Sequence, residues 1–255
     1  MTEKTNLYHC TKGDSLIRIL ESKYFLYSYC LEEYCVHKEN KIVLEKRAYA
    51  IVCFADLLEN ELPDHISQFH SDSYLMMDKK WAKNKRISPV IYFNINSLSN
   101  LAFLSINNRK KELSAFKNEY GIDKIDDILE KSIELIRPYF KLYRGKYFIK
   151  GTDEESNEEV EFFLEREWRS FPVVERYEHV YLDINDYKDP EKRNMYQKQL
   201  FEHGYCLKFD WDDILKIGCC RKKKREVIQA IQNTFGVDRK TARKKIEIIR
   251  KKLFK

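Results

Sequence analysis

In the stretch EFFLEREWRSFP (Glu161–Pro172), carboxylates and arginines stand inside an apolar run. Strand alternation would send Glu165, Glu167 and Arg169 to one face and Arg166, Trp168 and Ser170 to the other. A charged strand is ordinarily a solvated edge. Here Phe162, Phe163, Leu164, Phe171 and Val173 embed the charges in apolar sequence. A carboxylate beside an arginine on a core strand is either paired or put to use. As a functional pair, Glu167 stabilises a developing cation or acts as a general base. Arg169 binds an anion or simply neutralises Glu167. A functional site and a structural ion pair both fit these residues, because perturbed carboxylates occur at both. His9 sits in an early strand-like run between Tyr8 and Cys10. A lone strand histidine is more often a hydrogen-bonded structural group than a ligand.

Other chemistries find little support. With 7 Gly and 5 Pro among 255 residues, a glycine-lined phosphate loop is disfavoured. Neither GxxxxGK[ST] nor GxGxxG occurs. The seven cysteines are odd in number and form no CxxC, so no metal site or disulfide framework is expected. Buried free thiols fit a reducing, cytoplasmic setting. The N-terminus has no apolar leader-like segment, and no apolar run of membrane-spanning length occurs, so neither secretion nor a membrane is expected.

Positioning these residues requires a mixed α+β fold. LYHCT reads as a strand, SLIRILESKY as a helix capped by Asp14 or Ser15, and YFLYSYC, AYAIVCFADL, SYLMMDKKW and ISPVIYFNI as strands. Residues 97–140 change to helical spacing, a helical insertion stopped by Pro138. HVYLDIND and DDILKIGCC read as strands, and Tyr187–His203 as a polar helix. Residues 1–220 form this body. Arg221–Lys255 carries 14 Lys/Arg and 3 Asp/Glu, or 14 − 3 = +11; the whole chain is +6, leaving 6 − 11 = −5 on the body. The segment reads as a basic C-terminal helical hairpin, in which Val227, Ile228, Ile231, Ala242, Ile246 and Ile249 pack and the lysines face outward. Such a charge excess points to nucleic acid or, alternatively, an acidic partner protein. Phe235 and Phe254 are too few for single-strand stacking.

Three ordered blocks resemble the AbiGi family of bacterial abortive phage-infection proteins. They are LYHCTKGDSLIRILES, IVCFADLLENELPDHISQFHSDSYLMMDKKWAKNKRISPVIYF and FFLEREWRSFP. The resemblance implies a phage-defence protein, on the antitoxin side of a toxin–antitoxin pair, with a cognate partner protein. A second resemblance is to ADP-ribosyltransferases of the DNA-modifying toxin type. It is carried by a hydrophobic-His-x-Thr strand, a following Leu-x-x-Ile-Leu helix and a late glutamate strand. It implies an ADP-ribosyltransferase-like body of mixed and antiparallel sheets. His9 and Thr11 would then hold NAD, Tyr74 would stack on nicotinamide, and Glu167, beside Arg169, would be catalytic. That reading implies transfer of ADP-ribose to a nucleic-acid or protein acceptor. The alternative is an inactive antitoxin or sensor with the same body.

Overall fold

The structure, a computed structural model, describes residues 5–38, 41–105, 135–172 and 179–249. Most of the helical insertion expected over residues 97–140 lies outside the described residues.

The longest element is set by the most apolar sequence. AYAIVCFADL lies in β4 (Lys41–Leu57), whose last ten residues are mostly buried. Strand β1 (Asn6–Thr11) joins it antiparallel, with Tyr8 opposite Ala55. YFLYSYC is two strands, β2 (Tyr24–Leu26) and β3 (Ser28–Lys38), with a break at Tyr27. β3 then runs antiparallel along β4. SYLMM is β5 (Ser73–Met77), but the following lysines are helical. The Asp78 side chain accepts from the Lys80 amide and starts α3 (Lys79–Asn84) there. ISPVIYFNI is likewise divided, into β6 (Ser88–Pro89) and β7 (Ile91–Phe93). β7 pairs in parallel with β8 (Phe140–Leu142). β9 (Gly145–Phe148) and β10 (Glu155–Val160) form a hairpin, and β11 (Glu167–Ser170) lies against β4 on the side away from β1. The run HVYLDIND gives only a short β12 (Tyr181–Leu182), because Asp183 caps a helix. β13 (Cys206–Lys208) pairs with β2, and β14 (Ile214–Cys220) with β5.

The helices cover both faces. α1 (Gly13–Ser22) buries Leu16 and Leu20. Its start differs from expectation: the Gly13 amide donates to the Asp72 carboxylate at 2.7 Å, and no side chain caps it from Asp14 or Ser15. α2 (Leu62–Gln68) lies in the polar stretch before β5 and buries Leu62 and Ile66 against Tyr8, Ala55 and Tyr74. The polar helix near residue 190 is two, α4 (Ile184–Lys188) and α5 (Pro190–Glu202), separated at Asp189 before Pro190. On the other face, Phe25, Phe54, Leu75, Trp81, Ile217 and Val227 join one core.

The basic segment forms α6 (Lys224–Phe235), a turn at left-handed Gly236, and α7 (Arg239–Lys245) capped by Asp238. The second helix is shorter than its periodicity suggests. Ile246, Ile248 and Ile249 leave it as β15 (Ile246–Ile249), which pairs in parallel with β14. β-branched residues suit a pleated, half-buried surface better than a helix. The segment therefore closes a β–α–α–β crossover onto the body's own sheet.

Candidate functional site

The region around Glu167 is built by a turn rather than by one continuous strand. Phe162–Glu165 is a single 3₁₀ turn, and Arg166 adopts the left-handed conformation at φ 43°. The Arg166 guanidinium leaves the cluster, donating through Nε to the Asp56 carbonyl at 2.6 Å and pairing with Glu61. Glu167 and Arg169, on the strand, do share a face and meet, Glu165 reaches them from the turn through Lys141, and Trp168 joins the opposite core. Ser170 also turns away and bonds the Tyr27 hydroxyl at 2.8 Å.

Arg169 is completely buried, at 0% exposure. Its Nε donates to Glu167 Oε1 at 2.7 Å and its Nη2 to Glu167 Oε2 at 3.0 Å. Nη2 also donates to Glu32 Oε1 at 2.6 Å, and Nη1 to the Pro138 carbonyl at 2.6 Å. A second buried cation, Lys141, donates to Glu167 Oε2 at 2.8 Å and approaches Glu165 Oε2 at 3.5 Å. The Tyr147 hydroxyl donates to the other oxygen of Glu165. Burial by itself would push the Glu167 carboxyl up, but Arg169 and then Lys141 overcome it and hold the group far below the usual carboxylate range. For Glu165 burial wins, and its carboxyl is raised. Three carboxylates (Glu32, Glu165, Glu167) thus face two cations.

Glu32, Lys141 and Tyr147 had no part in the sequence reading. Lys141 carried a signal of the same kind as Arg169: a single cation within Pro-Tyr-Phe-Lys-Leu-Tyr (residues 138–143). Glu32 had none, since only pairing of β3 with β4 brings it to the Arg169 side.

A cavity of about 480 Å³ adjoins this network, lined in part by His9, Cys53, His65, Lys141, Glu165 and Glu167. It opens where the sheet forks. β1 pairs with β4 only as far as Tyr8–Ala55. Beyond that point the strands part, and His9 Nδ1 donates to the Cys53 carbonyl at 2.9 Å, supplying the bond the departing strand withdraws. A carbonyl only accepts, so the proton resides on Nδ1. Burial lowers the His9 pKa, so the ring is held neutral. Tyr8, Ala55 and Glu167 lie in one row across the sheet. His9, next to Tyr8, therefore points to the opposite face, where its ring stacks edge-on to Phe25 at 4.8 Å and lies against Phe54. His9 and Glu167 share the cavity but reach it from opposite faces. Neither Thr11 nor Tyr74 is among its lining residues. The Thr11 carbonyl accepts from the Asp72 amide at 3.2 Å. The Tyr74 ring packs on Tyr8, and its hydroxyl donates to Glu247 at 3.2 Å.

His65 enters the cavity wall from α2. Burial lowers its pKa to about 4, against the pull of Glu167. The fold therefore favours neutral His65. Its contribution is complete above the ordinary value of 6.5 and is lost as pH falls toward about 4. We expect urea midpoints to drop between pH 7 and pH 5 less in His65→Phe than in the wild type. Equal drops would show that His65 is not the group responsible.

This forked sheet, with a buried carboxylate–guanidinium–ammonium cluster beside a cavity, defines an α+β protein with an internal polar site. Residues 23–219 match the model of the family described as "Putative abortive phage resistance protein AbiGi, antitoxin", and the chain belongs to that family. No curated protein and no solved structure matches the chain. The protein is therefore placed in abortive-infection anti-phage defence. Among the described residues, no helix is long and apolar enough to cross a membrane.

Proposed function

We propose that this chain is a cytoplasmic antitoxin that acts by binding a cognate toxin protein, and that its cavity does not perform ADP-ribosyl transfer. The observation that carries this reading is the state of Glu167. Both of its carboxylate oxygens already accept from Arg169, and one also accepts from Lys141. A carboxylate so engaged has little charge left for an oxocarbenium-like centre, which a transferase would need to stabilise. NAD is also poorly suited by the remaining residues. His9 Nδ1 is committed to a backbone carbonyl, and Thr11 and Tyr74 are not among the residues that line the cavity. The seven cysteines are all free thiols, in keeping with a reducing compartment. Membership of a family described as antitoxin supports the role, and implies a toxin as the partner.

Expression of the chain alone should leave growth unaffected, and co-expression should relieve arrest caused by the partner toxin. Purified protein incubated with NAD should release no nicotinamide above the buffer level. Glu167→Gln should lower thermal stability yet leave relief intact at a temperature where the variant stays folded. The competing reading, ADP-ribosyl transfer, draws on one observation: His9 and Glu167 line the same cavity. Toxicity of the wild type that Glu167→Gln relieves, together with nicotinamide release that the variant lacks, would establish that reading and overturn ours.

A further inference from the structure

The α6–α7 crossover concentrates charge of one sign. Between Arg221 and Lys245 the chain has 10 Lys/Arg and 2 Asp/Glu, or 10 − 2 = +8, more than the +6 of the whole chain. Both acids are already engaged. Glu226 holds Lys223, and Asp238 caps α7 through the amides of Lys240 and Thr241. The exposed cations Arg221, Arg225, Arg239, Lys240, Arg243 and Lys244 make no ion pair with any described residue. Lys188, Lys192, Lys198 and Lys216 on other faces each hold a carboxylate, and the exposed Lys80, Lys83, Lys85 and Arg86 around α3, like the crossover cations, pair with no described residue. A face needed only for solubility intersperses both signs.

Amides add to the arginines. Arg225, Gln229, Gln232 and Asn233 follow helical spacing along one stripe of α6. With Arg239 of α7 and the buried Ile228 beneath, they line a groove of about 290 Å³. Amide side chains both donate and accept, and arginine forks match phosphate or base edges in two bonds at once. The inner face of α6 is fixed by Val227, Ala230 and Ile231 in the core. β14 and β15 hold both ends of the crossover in one sheet, so the surface is ordered before any partner arrives.

We propose that this face binds double-stranded DNA, with the lysines and arginines, Arg225 among them, on the phosphates and the α6 amides Gln229, Gln232 and Asn233 toward the base edges. The stripe carries no aromatic ring, and Phe235 at its end packs near Phe209 and Trp211. Unstacked single strands therefore find no platform here. A helix bearing amides and arginine fits the B-form major groove, whereas the A-form major groove of duplex RNA is too narrow to admit it.

The test is fluorescence anisotropy of the full chain with a labelled mixed-sequence DNA duplex of about three helical turns, titrated between about 50 and 200 mM salt. Binding should weaken steeply with salt. Arg225→Gln with Arg239→Gln should reduce affinity about tenfold or more and shrink the log–log salt slope by about two. Gln229→Ala with Asn233→Ala should weaken binding while leaving the slope unchanged. Lys188→Gln with Lys192→Gln, which removes the same charge from another face, should bind as wild type. All of these positions are exposed, and an unchanged melting temperature confirms that each variant is folded. The proposal is overturned by no binding at low salt or by salt-independent binding. It is equally overturned by equal loss from the Lys188/Lys192 variant, or by tighter binding to single strands, duplex RNA or a polyglutamate acting as an acidic-protein mimic.

Discussion

Arg169→Met is expected to destabilise the protein by about 3–5 kcal/mol, because it leaves buried carboxylates without their counter-ion. For a chain of this size that corresponds to a fall in melting temperature on the order of 10 °C. The side chain is 0% exposed, and its guanidinium serves Glu167, Glu32 and the Pro138 carbonyl together. Lys141 would still hold Glu167, whereas Glu32 would lose the guanidinium that hydrogen-bonds it. The double variant Arg169→Met with Glu167→Met should recover part of the loss, since it removes the stranded charge as well as its partner. Thermal melts of the two single variants and the double give the coupling between them. A single variant melting within about 1 kcal/mol of wild type would mean that the pair matters no more than an exposed salt bridge.

The acid limb of the stability profile carries the same information with a defined sign. Glu167 has a folded-state pKa depressed below its unfolded value, so its stabilisation is present above the ordinary carboxylate range and is lost as pH falls through it. Glu165 is shifted the other way, so its contribution is largest at low pH and declines as it ionises. The two acids, two residues apart, thus pull in opposite directions.

Part of this was legible in the sequence for a local reason. Charges among Phe162, Phe163, Leu164 and Phe171 have to be paired or used wherever the strand lies, and the Glu167–Arg169 alternation put both on one face. What escaped was non-local. Glu32 and Lys141 reach Arg169 only because β3 folds along β4 and because β8 follows the 3₁₀ turn at Pro138. The apolar Phe-Phe-Leu run reads as strand, yet it is a turn, and Arg166 at positive φ reverses the chain there. At the C-terminal end, Ile246 and Ile249 keep helical spacing with Ala242, so periodicity alone extends α7. A free edge on β14 decides for strand. His9 was placed on the correct strand, but which face it meets depends on where β1 and β4 separate.

Tyr74 shows how far the deciding contact can lie along the chain, and it yields the second large effect. β14 sets Gly218 opposite Tyr74, and on its other edge sets the same Gly218 opposite Glu247. The Tyr74 ring crosses over the glycine so that its hydroxyl reaches Glu247 at 3.2 Å. A Cβ at position 218 would overlap ring atoms Cδ1, Cε1 and Cζ of Tyr74. The ring has little room to yield, since it is 2% exposed and packs edge-on to Tyr8 at 5.4 Å. Gly218→Val is therefore expected to cost about 3 kcal/mol or more, the upper range for overpacking a closed core, despite valine's better strand propensity. Adding Tyr74→Ala should return part of that loss, because the new side chain then occupies the space the ring vacates. Urea denaturation of the two variants checks this. A Gly218→Val protein as stable as wild type would mean that the ring is free to swing aside. Tyr74 would then be available to a ligand after all, and not fixed as the brace between β5 and β15.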